Sequence, residues 1–261
     1  MAGEKWTRDE TLVALNIYCR TPFGRLNGHN PDIIETASAL GRTPSALGMK
    51  CCNLAAFDPA LAARGIKGLP NASKLDREVW EDFAQRPEEI AFESEQAFAC
   101  LTKREVRTQD DVCWEDVRGL DSLAITKVRV NQHFFRSIII TGYRERCAVC
   151  EIPFRELLVA SHIVPWCVEK SERMNPTNGI CLCATHDRAF DKGLLRIGAE
   201  YTISLSDSVW KRRDVRSVED CLLQFDGRKI SLPDRWHPAS KFLIRHSEMV
   251  ANLACMPDAD I

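Results

Sequence analysis

Residues 147–193 read CAVCEIPFRELLVASHIVPWCVEKSERMNPTNGICLCATHDRAFDKG, and the fold of the C-terminal region turns on how this stretch is parsed. Leu157, Leu158, Val159 and Ala160 form an apolar run of strand length that ends at Ser161 and His162, followed by Ile163, Val164 and Pro165. Asn175, Pro176, Thr177, Asn178 and Gly179 make a turn into a second strand at Ile180, Cys181 and Leu182, and a helix is predicted from Thr185. The order is strand, loop, strand, helix. His162 lies on the first strand, Asn178 opens the second, and His186 and Asp187 fall on the helix.

The cysteines of this stretch have metal-ligand spacing. Cys147 and Cys150 are three apart, and Cys183 and His186 repeat that interval, so the four side chains can complete one tetrahedral zinc site. Cys181 is an alternative ligand, and plain core cysteines without metal are the competing reading. Just upstream, residues 130–144 read as a helix with Phe134, Phe135, Ile138, Ile139 and Tyr143 apolar. Downstream, Tyr201 to Leu205 alternates as a short strand, and Asp226-Gly227 makes a turn.

The N-terminal region is helical by pattern. Thr7 and Glu10 have capping-box spacing ahead of Leu12, Val13, Leu15, Ile17 and Cys19. Asn30-Pro31 starts a second helix that Gly41 can end, and Thr43-Pro44 starts a third whose apolar positions leave Arg42, Ser45, Lys50 and Asn53 for solvent or a ligand. That spacing is helix-turn-helix-like, and Trp6 ahead of three helices resembles the Myb-like and SANT-like DNA-binding domains over about residues 5–56. Lys67 sits in a glycine-flanked basic loop that can approach phosphate. Ser73 caps a further helix, Pro87 opens another, and the charged, aperiodic run 102–121 reads as a linker. The expected organisation is therefore α+β, with a helical recognition domain over 1–101, a linker over 102–121 and a second domain over 122–261.

Composition narrows the function classes. At 261 residues and 45% hydrophobic content the chain can bury real cores, and a net charge of −2 excludes a protein that coats nucleic acid by bulk attraction while permitting local basic faces. Such faces are Lys127 and Arg129, then Arg136, Arg144 and Arg146, and later Lys211, Arg212, Arg213 and Arg216. No long apolar run or export signal is legible, which predicts a cytoplasmic protein with no membrane partner and twelve cysteines that are reduced or metal-bound.

The motifs Ala160-Ser161-His162-Ile163, Asn178-Gly179 and Asp187-Arg188-Ala189-Phe190-Asp191-Lys192-Gly193 resemble the HNH (ββα-metal finger) endonucleases, in particular a bacterial restriction-endonuclease-like branch. The resemblance spans roughly 127–250 and takes in Gln132, Phe135 and Arg136 before the finger and Gly227, Leu232-Pro233 and His246 after it. It implies a metal-dependent endonuclease acting on double-stranded DNA, with His162 as general base and Asn178 holding the finger loop and orienting His162. Asp187 is then the preferred ligand of one Mg2+ (or another divalent ion) and His186 its rival for that place. Ser161 departs from the pattern, because many relatives carry an acidic metal ligand there. Cleavage of both strands would need two active sites and hence a homodimer. The competing functions are a non-enzymatic, zinc-stabilised DNA-binding regulator and a mobile-element or repair nuclease.

Overall fold

The computed structural model describes residues 5–66, 72–106, 108 and 122–254. The chain divides into two compact units, 1–141 and 142–261. Lys67 and most of the stretch read as a linker lie outside the described residues.

The first unit is helical. Helix α1 (Arg8–Arg20) starts where expected, with Glu10 donating its amide to Thr7 Oγ1 at 3.2 Å and the Glu10 carboxylate accepting from the Thr7 amide at 2.9 Å. The sequence predicts one apolar face, yet every residue from Glu10 to Cys19 is buried, because α3, α5 and α6 pack around α1. Asn16 Nδ2 donates to Ser94 Oγ at 3.0 Å and to Glu95 Oε1 at 3.1 Å, and Arg20 pairs with the same Glu95 carboxylate, while Asn16 Oδ1 has no partner among the described residues.

Helices α2 (Pro31–Ala39) and α3 (Pro44–Ala55) carry the expected Asn30 and Thr43 caps with proline in the first turn. Gly41 follows α2 at φ +65°. A short α4 (Pro59–Ala63), then α5 (Lys74–Gln85) capped by Ser73, α6 (Pro87–Thr102) and α7 (Ser122–Gly142) complete the unit.

The second unit is α+β. Strand β1 (Leu158–His162) pairs antiparallel with β2 (Gly179–Cys183), setting His162 opposite Gly179 and Leu158 opposite Cys183. Helix α8 (Ala184–Asp191) follows β2 directly and packs on both strands. A second hairpin joins β3 (Leu195–Ile197) to β4 (Ile203–Leu205). Short helices α9 (Asp207–Trp210) and α10 (Arg216–Cys221) precede α11 (Ser240–Ala254).

Gly193 ends α8 at φ +65°, and a Cβ built there would lie 2.8 Å from Val250 Cβ on α11. Only glycine satisfies both the left-handed backbone and that approach. No helix among the described residues is long and apolar enough to cross a membrane.

Candidate active site and metal centre

The cysteine and histidine side chains named from their spacing converge. The ligand atoms of Cys147, Cys150, Cys183 and His186 all lie within 4.8 Å of one another. His186 Nδ1 is 3.1 Å from Cys183 Sγ and 3.6 Å from Cys147 Sγ, and Cys150 Sγ is 3.9 Å from Cys183 Sγ. A tetrahedral zinc ion with Zn–S near 2.3 Å sets its sulfurs about 3.8 Å apart, so the set is close to the size that zinc requires.

The outer contacts fit as well. His186 Nε2 donates to the Cys221 carbonyl at 2.9 Å, which fixes the tautomer whose Nδ1 faces the thiols, and Phe225 stands edge-on to the ring at 5.3 Å. A hydrogen bond from Cys183 lowers the Cys147 thiol below its usual range, while the same bond and burial push Cys183 up to about 11. The thiols thus compete for protons that a cation would displace. One nitrogen of His186 is thus turned to sulfur and the other to a carbonyl. Cys181 is buried on β2 and lies outside this quartet.

His162 ends β1. Its Nε2 lies 3.0 Å from the Arg173 carbonyl oxygen, and its ring meets the edge of Trp166 at 5.3 Å and 89°. A carbonyl only accepts, so the neutral ring carries its proton on Nε2 and its lone pair on Nδ1. Burial pushes the imidazole down to about 4, with the nearby Arg173 charge acting the same way against the carbonyl bond. The ring is therefore neutral, and proton-accepting, throughout the neutral range.

Asn178 acts on the loop between the strands. Its Oδ1 accepts from the Val164 amide at 2.9 Å, and its Nδ2 donates to the Val164 carbonyl at 3.1 Å and the Glu172 carbonyl at 3.4 Å. The amide thus braces both ends of the loop, including the residue just before Arg173. Arg173 closes it further: Nε donates to the Trp166 carbonyl at 3.0 Å and the guanidinium lies 4.9 Å from the Trp166 ring centre. Helix α11 adds ion pairs at 2.8 Å from Lys241 to Glu172 and from Arg245 to Glu169.

Asp187 lies in the first turn of α8, where burial raises its carboxyl while a hydrogen bond from the Ser161 side chain opposes that rise. Ser161, in the position where an acid was expected by resemblance, is buried and tied to Asp187 instead. One turn later Asp191 belongs to an exposed residue, yet local desolvation and the Asp187 charge push its carboxyl up to about 6. Carboxylates raised by desolvation, and for Asp191 also by the neighbouring Asp187 charge, are groups that a hard dication would relieve. Among the described residues no second cluster of three His, Cys, Asp or Glu groups accompanies the quartet of three thiols and one imidazole, so an ion at Asp187 would keep several waters, as Mg2+ commonly does.

The residues named for DNA contact fare unevenly. Lys50 is buried and paired with Asp76, beside the Trp6 ring, so it is part of the core and not of a solvent face. Arg42 is spent on Glu10, with Nε at 2.9 Å from Oε1, and on the Trp6 face. The helical pattern misassigned both because it cannot register partners from other helices. Ser45 is exposed, and Asn53 and Arg136 are half-buried. Sequence reasoning missed Trp166 and Arg173, whose contribution is partly through backbone carbonyls that no motif displays.

The HNH endonuclease family model matches residues 147–197, from the first cysteine to the end of β3. No curated protein matches the chain.

Proposed function

We propose that this chain, with its HNH endonuclease segment, is a divalent-metal-dependent DNA endonuclease in which His162 is the general base and Asp187 the principal protein ligand of the ion. The observation that carries the reading is the His162 Nε2 contact with the Arg173 carbonyl, which supports a neutral imidazole with its lone pair on Nδ1 at the end of β1. A protein that only bound DNA through a zinc-stabilised fold would have no use for such a ring.

In this reading His162 Nδ1 takes the proton of the water that attacks the phosphodiester. The Arg173 carbonyl holds the ring against rotation and spreads the positive charge that forms on it, and Asn178 keeps that carbonyl in place through Val164 and Glu172. Asp187, hydrogen-bonded to the Ser161 side chain, would hold Mg2+ or another divalent ion, which when bound supplies Lewis-acid stabilisation of charge on the phosphate and the departing 3′ oxygen. The products are a 5′ phosphate and a 3′ hydroxyl, by resemblance to the family. Cys147, Cys150, Cys183 and His186 hold a structural zinc that fixes the start of α8 against the turn before β1.

The domain scheme of a recognition region over 1–101 and a nuclease region over 122–261 belongs to the same proposal, as does a restriction or genome-defence role. On the recognition region, Ser45 and Asn53 on α3 remain for DNA once Lys50 and Arg42 are set aside. Cutting of both strands would require two copies acting as a homodimer.

The test is nicking of supercoiled plasmid by zinc-loaded protein, with and without added Mg2+. Relaxed circles formed only with the dication support the nuclease. Intact plasmid under every dication tried, with DNA still bound, would move the regulator reading to the front.

A further inference from the structure

The basic run after α9 has no part in the site described above. From Lys211 to Ser217 every residue is exposed, and four cations (Lys211, Arg212, Arg213, Arg216) face one carboxylate, Asp214, in a chain whose net charge is −2. No salt bridge joins Lys211 or Arg213 to an acid among the described residues. Arg216 pairs only with Asp220 at 3.3 Å on the open surface, a contact of the kind that contributes little and yields readily to a stronger anion. Arg212 Nη1 donates to the Ser208 carbonyl at 3.0 Å, and Trp210 is 41% exposed beside the run.

Both roots of the segment are fixed near α8. On one side Val209 is buried, and the Ser206 amide donates to the Leu194 carbonyl, just past the end of α8, at 3.0 Å. On the other, the Cys221 carbonyl accepts from His186 on α8, and Arg228 lies 5.9 Å from the centre of the Phe225 ring that flanks His186. An ordinary solvated loop needs neither this anchorage nor an exposed indole beside two cations, Lys211 and Arg213, that have no acid partner among the described residues. Clustered positive charge without acid partners is the electrostatic footprint of nucleic-acid backbone binding.

We infer that Trp210–Arg216 is a phosphate-binding anchor that grips the backbone of duplex DNA without reading its sequence. The inference rests on the nuclease reading and names a substrate contact for it. Lys211 and Arg213 carry the two free charges, Arg212 and Arg216 extend them along the backbone, and Trp210 supplies a flat apolar face. Through Cys221 and His186 the anchor is mechanically continuous with the helix that bears Asp187.

The experiment compares Lys211→Gln/Arg213→Gln with the parent, both in a His162→Ala background that prevents cutting. Binding to a fluorescent duplex of mixed sequence is followed by anisotropy between 50 and 300 mM salt, with zinc content and thermal midpoint as checks on the fold. The slope of log affinity against log salt is expected to fall by about two, with affinity about tenfold or more weaker near 100 mM salt and the loss equal for unrelated duplexes. An unchanged slope with retained binding would overturn the anchor while leaving the nuclease reading standing. If the parent binds no duplex and the wild-type protein cuts none, the nuclease reading fails and the anchor with it.

Discussion

The Nε2 of His162 lies 3.0 Å from the carbonyl oxygen of Arg173, so the backbone of one loop residue fixes the protonation pattern of the imidazole at the end of β1. Nitrogen-detected NMR of the zinc-loaded protein should show His162 as the Nε2–H tautomer and neutral down to about pH 4, where burial has pushed its titration. The acid limb of cleavage by the free enzyme should accordingly lie well below the ordinary histidine range. A ring that titrates near 6.5 would refute this electrostatic account.

One half-buried histidine, His162, and one buried histidine, His246, make stability depend on pH. His162 and His246 are both pushed down to about 4, chiefly by burial, and His246 is stacked on Phe190 at 3.7 Å. The unfolded chain binds their protons near 6.5 and the folded chain does not, so the stability they contribute is complete above that pH and is lost as pH falls towards 4. The loss should reach up to about 3 kcal/mol per histidine. Urea midpoints at pH 7.5, 5.5 and 4.5 measure it, and the drop should shrink in His246→Phe.

Removing a member of the quartet of three thiols and one imidazole should release zinc. Protein purified without chelator is expected to hold one zinc ion per chain, and Cys147→Ser or Cys183→Ser should lose it, with a thermal midpoint lower by about 10 °C or more. Cys181→Ser should keep the ion, because that side chain lies outside the quartet. Equal zinc loss in Cys181→Ser would mean that the ligand set is wrong.

Asn178→Ala removes the amide that holds Val164 and Glu172. Three backbone groups then lose a partner, and a cost of about 2–3 kcal/mol is expected together with a fall in kcat much larger than any change in KM. An equal loss in both would assign Asn178 to substrate binding instead.

Gly193→Ala should destabilise the second unit by about 2–4 kcal/mol, since alanine meets both the left-handed backbone at φ +65° and Val250 on α11. Adding Val250→Ala should recover the steric part and leave the backbone part. Chemical denaturation of the two variants separates these contributions.

The local elements were largely legible in the sequence because their signals are local. Thr7, Asn30, Thr43 and Ser73 cap the helices they precede, and residues 158–162 of the apolar run pair with 179–183. Short range is also where legibility ended. The pattern of α3 could not reveal that Asp76 from α5 buries Lys50, nor that Glu10 of α1 holds Arg42. Helices α9 and α10 and strand β3 were not anticipated, because they are too short to mark a period, whereas α11 went unread although Phe242, Leu243, His246 and Val250 recur at helical spacing and are buried. In the site, side chains with motif spacing were found, whereas the Arg173, Glu172 and Cys221 carbonyls could not be, since every residue has one.

The most direct test of the central claim is nicking of supercoiled plasmid in Mg2+ by the wild-type protein beside His162→Ala, both zinc-loaded and matched in thermal midpoint. The account predicts that the variant binds the plasmid as the wild type does and cuts it about 100-fold to 10,000-fold more slowly, the range expected for loss of a general base. Cutting by His162→Ala at the wild-type rate would contradict the account and require another residue to take the proton.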